Sequence, residues 1–134
     1  FGFKAHSDGD VAIHALIDAL MGAAGMGDIG ELFPDTDDEY ADADSVVLLE
    51  KVVNQIYLYG MSITNIDMTI LAQTPRLLSY KSKMRKKMAD TLKISPNRVN
   101  IKATTAEKMG FVGRKEGVTV HAVASLKYFD WSRS

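Results

Sequence analysis

Apolar residues recur along this chain with two periods. From about Asp8 to Met26, the residues Ile13, Leu16, Ile17 and Leu20 stand at i, i+3, i+4 and i+7, the spacing that lines one face of an α-helix. The spacing returns from about Asp44 to Tyr59, where Leu49, Val52, Val53 and Ile56 form the stripe and Gly60 suits a C-terminal stop. Elsewhere the period is two. Ile63–Ala72 sets Ile66, Met68 and Ile70 against Asp67 and Thr69. Val99–Thr104 sets Val99, Ile101 and Ala103 against Asn100 and Lys102. Val118–Leu126 sets Val118, Val120, Ala122 and Ala124 against Thr119, His121 and Ser125. Between the first two of these strands, roughly Leu77 to Lys93, lies a third helix long enough for a crossover. The alternation predicts an α+β fold in which helices pack on one face of a mixed β-sheet, a two-layer sandwich. The other face of the sheet, carrying Thr and Val, is then available to other subunits.

No internal repeat or low-complexity segment interrupts the pattern, so residues 1–134 read as one domain. An irregular stretch from Gly27 to Ala43, rich in Gly, Asp and Pro, is long for a loop in so small a domain, and long loops are commonly functional or disordered. A hydrophobic content of 46% supplies an ordinary core, and the net charge of −1 points to neither nucleic acid nor membrane. No apolar run approaches the roughly 18 residues of a membrane helix, and no secretory signal pattern is visible. The absence of cysteine excludes disulfides and thiolate metal sites and fits a reducing cytoplasm. Charge is unevenly spread. No Lys or Arg falls between Lys4 and Lys51, yet twelve of the seventeen acids lie from Asp8 to Glu50. From Arg76 to Lys93 the balance reverses, with seven basic residues against Asp90 alone. An acidic run is usually a solvated face, but hard cations also need oxygen ligands.

Four segments carry candidate chemistry. His6-Ser7-Asp8-Gly9-Asp10 leads into the first helix, where Ser7 or Asp8 can cap free N–H groups and the positive helix end attracts an anion. His14 stands one turn from both Asp10 and Asp18, in a polar stripe beside the apolar one. Such carboxylates could take the second imidazole N–H of a metal-bound histidine, although one His makes no zinc site, which needs about three protein ligands. In Asp28-Ile29-Gly30 a carboxylate beside a glycine could accept hydrogen bonds from a ribose, while the following Phe33-Pro34-Asp35-Thr36-Asp37 equally serves plain turn chemistry. In Lys102–Lys108, Thr104 and Thr105 offer hydroxyls to phosphate oxygens and Glu107 a carboxylate to Mg²⁺; the same residues read as a capping box opening a short helix.

Taken together, A-H-S-D-G-D-V-A-I-H-A-L at 5–16, G-D-I-G-E-L-F-P-D-T-D at 27–37 and K-A-T-T-A-E-K-M-G-F-V-G-R at 102–114 resemble the 2-C-methyl-D-erythritol 2,4-cyclodiphosphate synthase family. The likeness extends over essentially the whole chain, and the start, F-G-F-K-A-H-S-D-G-D, looks most like the C-terminal domain of the bifunctional form, in which a cytidylyltransferase domain comes first.

The resemblance implies a homotrimer whose sheets meet at the threefold axis, with active sites at subunit interfaces. It implies Zn²⁺ on His14, and Mg²⁺ or Mn²⁺ on Glu107 between the substrate phosphates. His6 and Thr105 match residues that steady the transition state, and Ser7 a substrate contact. Asp28, Ile29 and Gly30 match the ribose site; Phe33, Pro34, Asp35, Thr36 and Asp37 match the loop over the methylerythritol phosphate. Ala72, Gln73, Thr74, Pro75, Arg76, Leu77 and Leu78, joined by Ala103 and Thr104, match the wall around cytosine. Phe111 and Arg114 match residues near the central cavity. The implied reaction is intramolecular attack of the 2-phosphate on the β-phosphorus with expulsion of CMP, in the cytoplasm or, behind a transit peptide, a plastid. The family's G-x-D-x-H strand, whose Asp and His complete the zinc site, does not occur in this sequence. Ala106 stands where Thr is common, Lys115 where Gly is common and Arg76 where Lys is frequent. Two rival readings stand beside this one: a non-catalytic trimeric protein that binds a nucleotide or phosphate, and an unrelated metal phosphoesterase.

Overall fold

The computed structural model describes residues 3–32, 44–72, 79–105 and 118–129, with the backbone alone at 3–8, 32 and 105. In chain order the elements are α1 (Phe3–Ala24), α2 (Ile29–Leu32), α3 (Ser45–Leu58), β1 (Met61–Ala72), α4 (Lys81–Leu92), a 3-10 turn (Pro96–Arg98), β2 (Val99–Thr105) and β3 (Val118–Tyr128). The strands form one sheet in the order β2-β1-β3. β1 runs parallel to β2, from Ile66 opposite Val99 to Ala72 opposite Thr105, and antiparallel to β3, with Ala72 opposite Val118. A parallel pair needs a crossover, and the α4 segment provides it. The sheet is therefore mixed, with helices on one face, as the periodicities predict.

The core follows from those periodicities. Ala12, Ile13, Leu16, Ile17, Leu20 and Met21 of α1 are buried together with Leu48, Leu49, Val52, Val53 and Ile56 of α3 and Met88, Ala89 and Leu92 of α4. Ile66, Met68 and Ile70 of β1 and Val99 and Ile101 of β2 face them. β1 departs from strict alternation once. Met61 and Ile63 are buried, Thr64 and Asn65 are both exposed, and Ile66 resumes the buried set. The register against β3 slips at the same place, between Ile63 and Asn65. This β-bulge absorbs one residue and returns Ile66, Met68 and Ile70 to the core face.

α3 is capped as its sequence allows: the Asp44 carboxylate accepts from the Val46 N–H at 2.9 Å. Gly60, at φ 85°, turns the chain into β1. The end of β3 is tied to that turn, where the Phe129 N–H donates to the Gly60 carbonyl at 2.7 Å and the Phe129 and Tyr57 rings stack at 6.3 Å. Arg85 on α4 donates from Nε to the carbonyls of Pro96 and Val99, at 2.9 and 2.8 Å, fixing the entry into β2. The outer face of the sheet is polar apart from the half-buried Leu71 and from Val123, which is 66% exposed. On it Asp67 accepts from Asn100 Nδ2 at 3.0 Å and from Lys102 Nζ at 3.1 Å. The Asn100 hydrogen bond, followed by that of Lys102, lowers the Asp67 pKa below the ordinary aspartate value.

Several boundaries differ from those the sequence predicts: β1 begins at Met61 rather than Ile63, α4 at Lys81 rather than near Leu77, and β3 runs to Tyr128 rather than Leu126. The first helix begins at Phe3 rather than near Asp8, so Ser7 and Asp8 lie inside it and not at its start. Lys4 and Ala5 are good helix formers, and Ser, Asp and Gly inside a helix cost fractions of a kcal/mol to about 1 kcal/mol each, too little to stop it. The irregular stretch after Met26 contains a short helix, Ile29–Leu32. Among the described residues no helix is long and apolar enough to cross a membrane.

Candidate functional site

His14 projects from the exposed side of α1, one residue from the buried Ile13. Its Nδ1 lies 2.8 Å from the backbone carbonyl oxygen of Asp10. A carbonyl only accepts, so Nδ1 carries the hydrogen, and in the neutral ring Nε2 then holds the lone pair. Metal-ligating histidines are commonly arranged in this way, with one ring nitrogen donating to a carbonyl or carboxylate and the other left to coordinate. The sequence pointed to the carboxylates of Asp10 and Asp18 as partners of the ring; the structure supplies a carbonyl instead. The Asp10 carboxylate is turned toward α3, where Oδ1 accepts from the Ser45 hydroxyl at 2.6 Å. That contact joins residues 35 positions apart, and no local pattern in the sequence marks it.

Asp28 closes a turn: the Glu31 N–H lies 3.0 Å from its Oδ1 and 3.1 Å from its carbonyl oxygen. The carboxylate thereby caps α2, yet two carboxylate oxygens offer about four acceptor positions, which leaves capacity for an incoming hydroxyl. The left-handed conformation falls on Gly27, at φ 79°, and not on Gly30, which sits inside α2. A Cβ at Gly27 would run into the Glu31 carboxylate. The special backbone of the G-D-I-G segment therefore belongs to its first glycine, which lets the chain turn out of α1 and present Asp28.

At the other end of the molecule the parallel register joins two stretches that are distant in sequence. Ala72 lies opposite Thr105, Leu71 opposite Thr104 and Ile70 opposite Ala103. Ala72 is buried, Ala103 half-buried and Thr104 exposed. The last residues of β1 and β2 thus form one sheet edge, at which Val118 of β3 also begins. This edge is where the chain passes into residues 73–78 and 106–117, which lie outside the described residues together with Gln73, Thr74, Pro75, Arg76, Leu77, Leu78, Glu107, Phe111 and Arg114. Phe33, Pro34, Asp35, Thr36 and Asp37 lie outside them as well. His6 and Ser7 are described by backbone only, as helical residues of α1, so the expected anion-binding helix start does not fall there.

Among the described residues no group of three His, Cys, Asp or Glu side chains is placed to hold a metal ion. A cavity of about 280 Å³ between α3 and α4 is lined by Val46, Glu50, Val53, Asn54, Lys87, Asp90, Thr91 and Lys93 and contains none of the expected site residues.

The sequence model of the YgbB family matches residues 1–127. The chain is 69% identical over 133 residues to the bifunctional enzyme IspD/IspF of Sulfurovum sp. (strain NBC37-1), covering 99% of this chain and 36% of that relative. Among solved structures it is similar to the bifunctional IspDF from Campylobacter jejuni, with a TM-score of 0.83 and 50% identity, covering 99% of this chain and 36% of that one. It is similar also to IspF of Plasmodium falciparum in a CDP complex, with a TM-score of 0.74 and 28% identity over 88% of this chain and 70% of that one. The chain thus spans little more than a third of the bifunctional relatives it matches, 36% in the first of them.

Proposed function

Because the chain belongs to the YgbB family, we propose that it is the cyclodiphosphate synthase part of a larger enzyme. It converts 4-diphosphocytidyl-2-C-methyl-D-erythritol 2-phosphate to 2-C-methyl-D-erythritol 2,4-cyclodiphosphate and releases CMP, as a phosphorus–oxygen lyase of isoprenoid biosynthesis. The observation that carries the reading is the 69% identity to a bifunctional IspD/IspF over 133 residues, which takes in every segment with candidate chemistry. The CDP complex of a structural relative supports a cytidine diphosphate ligand.

The reaction needs no protein nucleophile. A terminal oxygen of the 2-phosphate attacks the β-phosphorus, the bond from that phosphorus to the bridging oxygen breaks, and CMP departs with the electron pair. The protein's task is to fold the substrate into attack geometry and to balance its charge. Ala72 and Gln73–Leu78, with Ala103 and Thr104, hold cytosine at the sheet edge where β1 and β2 end. Asp28 accepts from the ribose hydroxyls beside Ile29 and Gly30. Residues 33–37 cover the methylerythritol phosphate. His6, Ser7 and Thr105 donate to phosphate oxygens, and Phe111 and Arg114 line the cavity on the trimer axis. His14 fits a zinc ligand by the chemistry of its donor: an exposed imidazole whose Nδ1–H is already committed leaves a lone pair on Nε2. Glu107 would hold Mg²⁺ or Mn²⁺. Bound at these residues, the cations would neutralise the clustered phosphate charge. Three chains assemble with their outer sheet faces together, in a cytoplasmic protein with a cytidylyltransferase partner domain.

The test is turnover of this substrate by the full chain in ¹⁸O-water. Stoichiometric CMP with no ¹⁸O in the product is the expected result, and Glu107→Gln should suppress it by at least about 100-fold while leaving the circular dichroism spectrum unchanged. Incorporation of ¹⁸O would identify a phosphoesterase. Nucleotide binding without CMP release would identify a non-catalytic binding protein.

A further inference from the structure

Glu31 is not among the residues matched to the substrate, yet two of its groups bear on Asp28. Its N–H lies 3.0 Å from Asp28 Oδ1. Its side chain folds back along the chain, and the carboxylate occupies the space that a Cβ on Gly27 would fill. Asp28 is the residue before α2, and Glu31 is the third residue within it. This is the spacing of a capping box, in which the side chain of the capping residue takes the N–H of the third helical residue and that residue's side chain reaches back to the helix start. The first contact is made, and the returning carboxylate has come up against the residue before Asp28. Gly27 permits this in two ways. At φ 79° it adopts a conformation that side chains disfavour, and it has no side chain of its own to obstruct Glu31.

The arrangement governs where the Asp28 carboxylate points. With Oδ1 tied to the Glu31 N–H, rotation of the side chain is restricted, and Oδ2 is the oxygen turned to an incoming hydroxyl. Glu31 fills the space over Gly27, so Asp28 has no room to swing back into it. Asp28 is exposed, and without the turn it would sample several rotamers. α2 is only four residues long, and a helical turn of that length depends on its caps. A side chain already held in one rotamer loses less entropy when it accepts from a ligand.

We infer that Glu31 is a positioning residue for Asp28: folded back over Gly27, its side chain completes the turn that aims the Asp28 carboxylate at the hydroxyls of a bound ribose, and so strengthens the preference for a hydroxylated sugar. The role rests on the assignment of Asp28 to the ribose made above. Glu31 acts through Asp28 and requires no contact with the substrate.

The experiment titrates the full chain with CMP and with 2′,3′-dideoxycytidine monophosphate by calorimetry, so that the ratio of the two dissociation constants reads recognition of the ribose hydroxyls alone. Wild type should prefer CMP. Glu31→Ala should bind CMP about 5-fold more weakly, the weight of one helix cap, with binding of the dideoxy nucleotide unchanged. Glu31→Gln keeps the length of the side chain and the capacity to complete a capping box, and should match wild type. A purely structural role would weaken both nucleotides together, so equal losses in Glu31→Ala overturn the proposal. It is overturned too if Glu31→Ala leaves the ratio unchanged, or if Glu31→Gln is as impaired as Glu31→Ala, while Asp28→Ala loses the preference; the assignment of Asp28 then stands. Retention of the preference by Asp28→Ala, or its absence in wild type, removes that assignment, and this proposal with it. Should Glu31→Ala disturb the fold, Gly27→Ala tests the same point, because the added Cβ displaces the Glu31 carboxylate. Loss of the preference for CMP with dideoxy binding intact supports the role, and parallel losses overturn it.

Discussion

Single side chains in this fold are often held by partners far away in sequence. Asp67 illustrates the electrostatic consequence. Asn100, 33 residues away, donates to one carboxylate oxygen, and Lys102 donates to the other at 3.1 Å. Both contacts favour the ionised form and lower the pKa, with the Asn100 bond the larger cause. A carboxyl whose pKa falls on folding stabilises the native state above the unfolded-state value, and that contribution disappears as pH drops through the folded-state value. Urea midpoints of wild type and Asp67→Asn should therefore differ by a constant amount near neutrality. The gap should close as pH falls below the ordinary aspartate value. A gap constant down to the most acidic sample would show that the loss in Asp67→Asn is not one of charge. His14 and Ser45 are both held by Asp10, the imidazole through its carbonyl and the hydroxyl through its carboxylate.

Among the elements, α3 has the most completely specified boundaries. Asp44 accepts from the Val46 N–H, and at the far end the Tyr59 N–H donates to the Gln55 carbonyl and the Gly60 N–H to the Tyr57 carbonyl. The cap is exposed and makes no packing contribution, so its removal isolates the helix end. Asp44→Ala should cost about 1 kcal/mol in urea unfolding with an unchanged slope, and Asp44→Asn a few tenths. Equal stability of Asp44→Ala and wild type would mean that burial of Leu48, Leu49, Val52, Val53 and Ile56 alone sets the helix start. α1 shows the contrary case. Its sequence offers plausible caps at Ser7 and Asp8, yet the helix runs through both. Helical hydrogen bonds continue wherever neighbouring residues are helix formers and no proline blocks them, and a single capping preference of about 1 kcal/mol does not prevent this.

At the scale of the molecule, the sheet has one face covered by helices and one without cover from the described part of the chain. On the uncovered face Val123 stands 66% exposed among Thr119, His121 and Ser125. The proposed trimer places these faces together, so a charge at position 123 would be buried three times over around the axis. Val123→Glu should dissociate the assembly to monomers in light scattering after size-exclusion chromatography, and should abolish CMP release while leaving far-ultraviolet circular dichroism unchanged. A variant that remains trimeric would locate the interface elsewhere.

The sequence alone determined the longer helices, the three strands and their inward faces. Side-chain direction repeats every 3.6 residues on a helix and every two on a strand, so a buried face leaves a periodic imprint that survives without the partner it packs against. Leu16, Val52 and Met68 are buried because of their own spacing. The bulge in β1 is not among the predicted features; the register against β3 reveals it at Thr64-Asn65. Tertiary structure alone decided which strand ends share an edge, bringing Ala72 beside Thr105. It decided too that Asp10 would answer to Ser45 and that Asp67 would answer to Asn100. A contact across 33 or 35 residues adds no periodicity to either segment. Its geometry exists only after the intervening chain has closed and the core has set the distance between the elements.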